Sequence, residues 1–421
     1  MGLHRYRPLP SGRMGVMWTL STIRDAALIE FGCMGHMRYG IASLECSGVI
    51  DGCKFHSTHI EETDIALGST DKLNYSIADV ARRDHPKVIF LQPSAVPQVI
   101  GTDIPALISE IQPQYPDIKL LPFGGGGFDI TLHRGVQEAL LQLVKSLPVE
   151  TPKTAEPSFN IIGSCADLFR FRGDTGEILR MMDGAFGMKP ICVLSSDTSI
   201  DQISKMGGAH INLVIRREGE PAAKQLQKQF GTPYVLGRPY GIEGTLKWLE
   251  EISQASGLIP ETAFLESERN TARKFTAPVR RGSGRGGKGG GGSGSTHSGP
   301  VIALGGHADV VKGILSFACG ELNFMQGPCW CDSPDMASAE VPHFTEEQWV
   351  QAVEAHEYTY LMAGCEALEL AGQSLDFQIS NPDTKWQLYP YEPPFVGFRG
   401  AMYLAHLWVN GGGRSRRKGR E

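Results

Sequence analysis

The sequence predicts an α/β protein built as three Rossmann-like doubly wound domains with parallel sheets, and three observations carry that prediction. Short runs such as KVIFLQPSA (87–95), FNIIGSC (159–165) and VIALGG (301–306) are almost wholly apolar, as strands buried on both faces must be. Each run gives way to a Gly- or Asp-bearing turn and then to a segment of helical period, the rhythm of βαβ units. A Gly/Ser run, RRGSGRGGKGGGGSGSTHSG (280–299), has nothing to bury and reads as a flexible linker between folded parts.

Taken in order, WTLSTIRDAALIEFG (18–32) reads as a helix with Leu20, Ile23, Ala27 and Leu28 on one face. After the strand at 87–95, GTDIPALISEIQ reads as a helix capped by Thr102 or Asp103. IKLLPF (118–123) is the next strand, and beyond GGGGFD the segment LHRGVQEALLQLVKSL is amphipathic. Pro and polar residues at 147–158 close a first domain over 1–155. A second, over 156–279, runs from FNIIGSC through the helix GDTGEILRMMDGAFG, the strands PICVLSS and HINLVI, and the helices EPAAKQLQKQFG and IEGTLKWLEEIS. The third, 300–410, opens with strand, Gly-turn and helix in VIALGGHADVVKGILSFACGE, and a basic tail occupies 411–421.

A chain of 421 residues is long enough for about two to four domains. The net charge of −6 hides an asymmetry: the 280–299 run and the tail each carry a net +4, which leaves −14 on the remainder. The folded body is therefore acidic, and the basic tail reads as solvated chain rather than as a nucleic-acid surface. No run of about 18 apolar residues occurs, and the N-terminal MGLHRYRPLPSGR lacks the apolar stretch of a secretory signal, so the expectation is a cytoplasmic protein without a membrane span. Nine cysteines, an odd count, then argue for reduced thiols used as packing, ligand or nucleophile rather than a disulfide framework.

Several polar stretches stand at the carboxyl ends of strands, where open α/β sheets bind ligands. FGCMGHMRYG (31–40), which follows the expected helix over 18–32 and not a strand, sets Cys33 and His36 three apart, flanked by glycines, and Cys46 and Cys53 follow in CSGVIDGC. These four are the metal-ligand candidates, because thiolate and imidazole suit soft and borderline metals. A tight turn is the plain alternative, since C-x6-C is no zinc-knuckle spacing. Cys329 and Cys331 in GPCWCDSPD form a C-x-C in a turn-rich stretch, fit to donate two thiolates or to form a redox pair. GGHAD at 305–309 offers a helix N-terminus to an anion. His133 and Arg134, at a helix start beside a Gly-rich loop, are candidates for anion contact or proton transfer. No G-x-S-x-G elbow occurs, which leaves a serine nucleophile without its usual setting.

The ordered set of motifs is more specific than any one of them. WTLSTIRDAALIEFGCMGH, STHIEETDIALGSTDKL, PKVIFLQPSAVPQVIGTDI, FNIIGS…GDTGEILRMM, SSDTSIDQIS…INLVI, QFGTPYVLGRPYGIEGTLKWL and PPFVGFRGAMYLA resemble, in this order, segments of nitrogenase component 1 subunits and their cofactor-assembly relatives. The likeness covers nearly the whole chain apart from the linker and tail. It implies three Rossmann-like domains with a cofactor cleft between them and an iron–sulfur cluster, with a possible further metallocofactor. It also implies a paralogous partner subunit, in a heterodimer or heterotetramer, and an ATP-driven iron–sulfur reductase that delivers electrons.

The departures from the family pattern are specific. The family's elbow cysteine falls on His36, with Cys33 three residues earlier, and a second family cysteine falls on Ala95. The position of the catalytic cofactor's cysteine holds Ile215 and Arg216, and that of its histidine holds Gln387, Leu388 and Tyr389. The resemblance therefore implies a divergent, nitrogenase-like redox subunit rather than a dinitrogen reductase. Arg172, Arg216 and His307 become cleft contacts beside His133 and Arg134. A non-catalytic scaffold for cofactor assembly, or a structural partner with decayed sites, are the alternatives.

Overall fold

The computed structural model describes residues 5–6, 10–46, 48–49, 52–99, 101–124, 130–283, 299–380 and 392–411, with the side chains of His36, Tyr39, Cys46, Gln98, Val99 and Ser283 outside that description. Among the described residues three sheets form, and every strand pair in them is parallel. The first comprises β1 (Ala26–Phe31), β2 (Lys54–Ser57), β3 (Val88–Pro93) and β4 (Lys119–Pro122) in the order β2-β1-β3-β4. The second comprises β5 (Ser158–Ser164), β6 (Lys189–Ser195), β7 (Ile211–Val214) and β8 (Tyr234–Leu236) in the order β6-β5-β7-β8. The third holds β9 (Val301–Gly306), β10 (Met325–Cys331) and β11 (Tyr360–Met362), with β9 central. In each sheet the first strand in sequence lies inside, so a crossover covers each face and both faces are buried.

The helix expected over 18–32 is not what forms. A helix ends at Leu20, Asp25 turns the chain at φ 61°, and Ala26–Phe31 is a strand buried at every position between β2 and β3. A strand buried on both faces is apolar throughout, and that run mimics one face of a helix over so few residues. The C-x-C stretch is also not an exposed loop: Cys329 and Cys331 lie in β10, both buried against β9. Glycine and proline suggest a turn there, but the long-range pairing with β9 decides. The helix Thr262–Ser283 carries four residues into the segment read as linker, and residues 284–298 and the 412–421 tail lie outside the described residues.

The element that ties the sheets together is the helix Leu132–Ser146, whose Thr131 side chain caps it by accepting from Arg134 N. The helix Gly12–Leu20 crosses it so closely that a Cβ on Gly135 would stand 1.9 Å from the Gly12 carbonyl oxygen. Only glycine permits that backbone-to-backbone approach. The other side of the helix meets the Arg217–Gly219 turn and the helix Glu220–Phe230 that follow β7. One large apolar core runs through all three sheets, with a smaller one on a single face of the first sheet. Among the described residues no helix is long and apolar enough to cross a membrane.

Candidate functional site

Parallel strands that end side by side bring the residues just beyond them into one region, and this chain loads those positions with charge. Asp167 follows β5, Arg216 and Glu218 follow β7, His307 follows β9 and Asp332 follows β10. His133, in the first turn of the Leu132–Ser146 helix, faces them. Glu218 is the centre of the group: its Oε1 accepts from Arg216 Nη2 at 2.7 Å and lies 2.9 Å from both His133 Nδ1 and His307 Nε2. The other nitrogen of His133, Nε2, lies 3.0 Å from Asp332 Oδ1. Arg216 Nη1 donates to Asp167 Oδ1 at 2.8 Å. Beside them Arg217 Nε donates to Asp309 Oδ1 at 2.8 Å.

Burial makes these contacts matter. Glu218 is 3% exposed and Arg216 1%, and an isolated charge there would cost several kcal/mol. Burial raises the proton affinity of Glu218, but Arg216, His307 and His133 overcome it and hold the carboxyl well below its ordinary range. Burial likewise disfavours a charged His133, yet Asp332 and Glu218 outweigh it and push its pKa up to about 10. Flanked by a carboxylate on each ring nitrogen, His133 is therefore an imidazolium that donates from both. His307 differs: its Nδ1 accepts from Asp309 N as the cap of the helix Ala308–Leu322, so its Nε2 carries the proton toward Glu218. Gly163 (φ 101°) makes room for Arg216, since a Cβ there would stand 2.6 Å from Arg216 Cγ.

The sequence suggests His133, Arg216 and His307 as contacts in a common cleft, and the fold brings these three together. It does not bring Arg134 or Arg172 with them. Arg134 is largely exposed and lies 3.4 Å from Asp335. Arg172 makes a bidentate pair with Asp197, at 2.8 and 2.9 Å, and lies over the Phe171 ring. Glu218, Asp332, Asp167 and Asp309 do not stand out in the sequence. Their signal is present, since acids directly after an apolar strand run stand at a sheet's binding edge.

At the elbow, Cys33 stands in the turn between β1 and the helix Met34–Cys46, half-buried, with its thiol 3.6 Å from the Ile60 carbonyl. Cys53 is not its neighbour. It immediately precedes β2, whose Lys54 pairs with Ala27, so Cys53 stands level with the start of β1. Seven residues of extended chain, about 20 Å, separate that level from Cys33. Cys53 also belongs to the core on the opposite face of the sheet, and burial pushes its thiol far above the ordinary range. The side chains of His36 and Cys46 lie outside the described residues, and their backbones are ten residues apart in one helix, about 15 Å along its axis. Burial raises the thiols of Cys165, Cys192 and Cys329 to about 12 and that of Cys331 above its ordinary value, which suits packing and not thiolate chemistry.

Among the described residues, His133, Glu218 and His307 form a set of metal-ligating side chains whose ligand atoms all lie within 4.8 Å of one another. The arrangement can hold a cation, store protons, or lock the three sheets together.

Comparison with known proteins places the fold. The family model of nitrogenase component 1 type oxidoreductases matches residues 11–281. The chain is 28% identical over 247 residues to the nitrogenase iron-molybdenum cofactor biosynthesis protein NifE of Clostridium pasteurianum, across 58% of this chain and 53% of that protein. It is 26% identical over 249 residues to a subunit of the light-independent protochlorophyllide reductase of Nostoc punctiforme, across 57% of this chain and 49% of that one. The matches thus span about half the length of these curated relatives. A solved structure of nitrogenase Cp1 at pH 6.5 superposes with a TM-score of 0.76 over 97% of this chain and 93% of that one, at 16% identity, a likeness of fold. The chain belongs to the nitrogenase component 1 type oxidoreductase family.

Proposed function

We propose that this chain is a redox subunit of a nitrogenase-like complex, paired with a paralogous component 1 subunit and served by an ATP-dependent iron–sulfur reductase. The observation that carries the reading is Cys33, a half-buried thiol at the carboxyl edge of β1. Open α/β sheets bind ligands at that edge, and a Cβ built on nearby Gly35 meets, among the described residues, nothing within 4 Å beyond its chain neighbours and its own helix backbone. Among the described residues the elbow offers one corner of an iron–sulfur cluster, because Ala95 supplies no second ligand and Cys53 stands at the far end of the sheet. The remaining ligands would come from the partner subunit, which makes the elbow an interface. Such a cluster, when bound, supplies one-electron transfer; the protein's part is to hold it with Cys33 and to limit its solvent exposure, which tunes its potential.

A second reading, a scaffold for metallocofactor assembly, is favoured by Arg216. It stands where the family resemblance puts a cofactor cysteine, and both of its Nη atoms are engaged, by Asp167 and Glu218. The name of the relative NifE, a cofactor biosynthesis protein, points the same way. Anaerobic co-purification with the partner, iron and sulfide analysis, and EPR test the first reading. A complex free of iron and sulfide would sink it, as would a cluster that survives Cys33→Ala. Reductase-dependent turnover separates the redox subunit from the scaffold.

A further inference from the structure

We propose that His133, Glu218 and His307 form a mononuclear site for a divalent first-row transition ion, bound where the three sheets meet. The geometry is close to what such an ion needs. At metal–ligand lengths of about 2.0–2.1 Å, tetrahedral ligand atoms stand roughly 3.3 Å apart. His133 Nδ1 and His307 Nε2 each lie 2.9 Å from Glu218 Oε1, and one ligand atom from each of the three side chains falls within 4.8 Å of the others, so rotation of the carboxylate and the rings, without backbone movement, is what an ion would require. Arg216 occupies Glu218 Oε1, but Glu218 Oε2 is buried and has no hydrogen-bond partner among the described residues. That orphaned oxygen is the carboxylate atom left for an ion.

Two further features point to a cation. His133 presents Nδ1 to the site while Nε2 meets Asp332 at 3.0 Å, the carboxylate–histidine pairing that orients metal-bound imidazole and raises its basicity. Charge balance agrees. Asp167, Glu218, Asp309 and Asp332 are four carboxylates, set against the two guanidinium groups of Arg216 and Arg217. The deficit is two positive charges, which the His133 imidazolium fills by half and one divalent ion with neutral imidazoles would fill completely. The ion at His307 Nε2 moves that ring's proton to Nδ1 and gives up the 3.2 Å cap to Asp309 N. With two imidazoles, one carboxylate and no thiolate, the donor set suits Zn²⁺, Fe²⁺ or Co²⁺ and not an iron–sulfur cluster.

The full chain, stripped with a chelator, is titrated with Co²⁺ and followed by visible absorption, with X-ray absorption at the cobalt edge. One ion per chain in a nitrogen/oxygen shell with two imidazoles supports the site. His307→Gln is expected to weaken binding at least 100-fold and Asp332→Asn by about 10–100-fold, while the exposed Arg134→Ala leaves it unchanged. Absence of stoichiometric binding, sulfur in the first shell, or full affinity in His307→Gln overturns the proposal. Because the wild-type chain alone yields the first two readouts, a variant that fails to fold does not shield it. The iron and sulfide content at Cys33 is read separately, so either site can fail without the other.

Discussion

The Oε1 atom of Glu218 lies 2.9 Å from His133 Nδ1, across 85 residues of sequence and between two sheets. Because both side chains are 3% exposed, neither finds water if the other is removed. Glu218→Gln strips the countercharge from His133 and Arg216 and is expected to destabilise the chain by about 3–5 kcal/mol. Arg134→Ala, one residue from His133 but largely exposed, should change stability by less than about 1 kcal/mol. Urea denaturation of the two variants checks the contrast.

The charge on His133 sets a pH window for the metal-free chain. Asp332 and Glu218 overcome the opposing effect of burial and raise its folded-state pKa to about 10, above an unfolded value of about 6.5. A raised pKa stabilises fully below the unfolded value, and that stabilisation is lost as pH climbs through about 10. The depressed Glu218 and Asp332 act in the opposite sense, present above their unfolded pKa values and lost as the pH falls through the folded ones. Denaturation midpoints should fall between neutral pH and pH about 10. His133→Asn should flatten that alkaline limb. An unchanged limb would show that another group titrates.

Gly135 permits the close crossing of the helices Gly12–Leu20 and Leu132–Ser146. Gly135→Ala puts a methyl group into the Gly12 carbonyl and should cost about 1–3 kcal/mol or more, as overpacking does. The helix also carries His133, so the variant should perturb the histidine imidazole resonances in NMR. A variant with native stability and native spectra would contradict the packing.

Thiol labelling distinguishes the elbow from the core. Cys33 is half-buried whereas Cys53, Cys165 and Cys192 are buried with raised pKa values. Peptide mass spectrometry after brief iodoacetamide treatment should find Cys33 modified well before these three. Cys53→Ala should leave iron content of the complex unchanged, because Cys53 lies at the opposite end of its sheet. Iron loss in that variant would restore it as a ligand.

Much of the fold is legible in the sequence because its signals are local. The strands at 88–93, 158–164 and 301–306 announce themselves as apolar runs, and Asp103 announces a helix start that it does cap, by accepting from Ala106 N. β1 reads as helix because full burial erases the alternation that marks a strand. β10 reads as a loop because Gly327 and Pro328 signal a turn, while pairing with β9 holds the segment extended.

Taken alone, the sequence determined the α/β class, the order of motifs that marks the family, and Cys33 as a candidate ligand thiol in a glycine-flanked elbow; that the elbow follows a strand was decided by the fold. Only the tertiary structure decided which of the candidate histidines, arginines and cysteines meet. His133, Glu218 and His307 come from three separate parts of the chain, the two histidines 85 and 89 residues from their common carboxylate. Parallel strands bring such positions together because each strand delivers its following residues to the same edge. The same geometry parts Cys33 from Cys53, since the two stand at opposite ends of neighbouring parallel strands. Local patterns specify each strand; its neighbours, and therefore the site, follow from burying the apolar faces of all three sheets together.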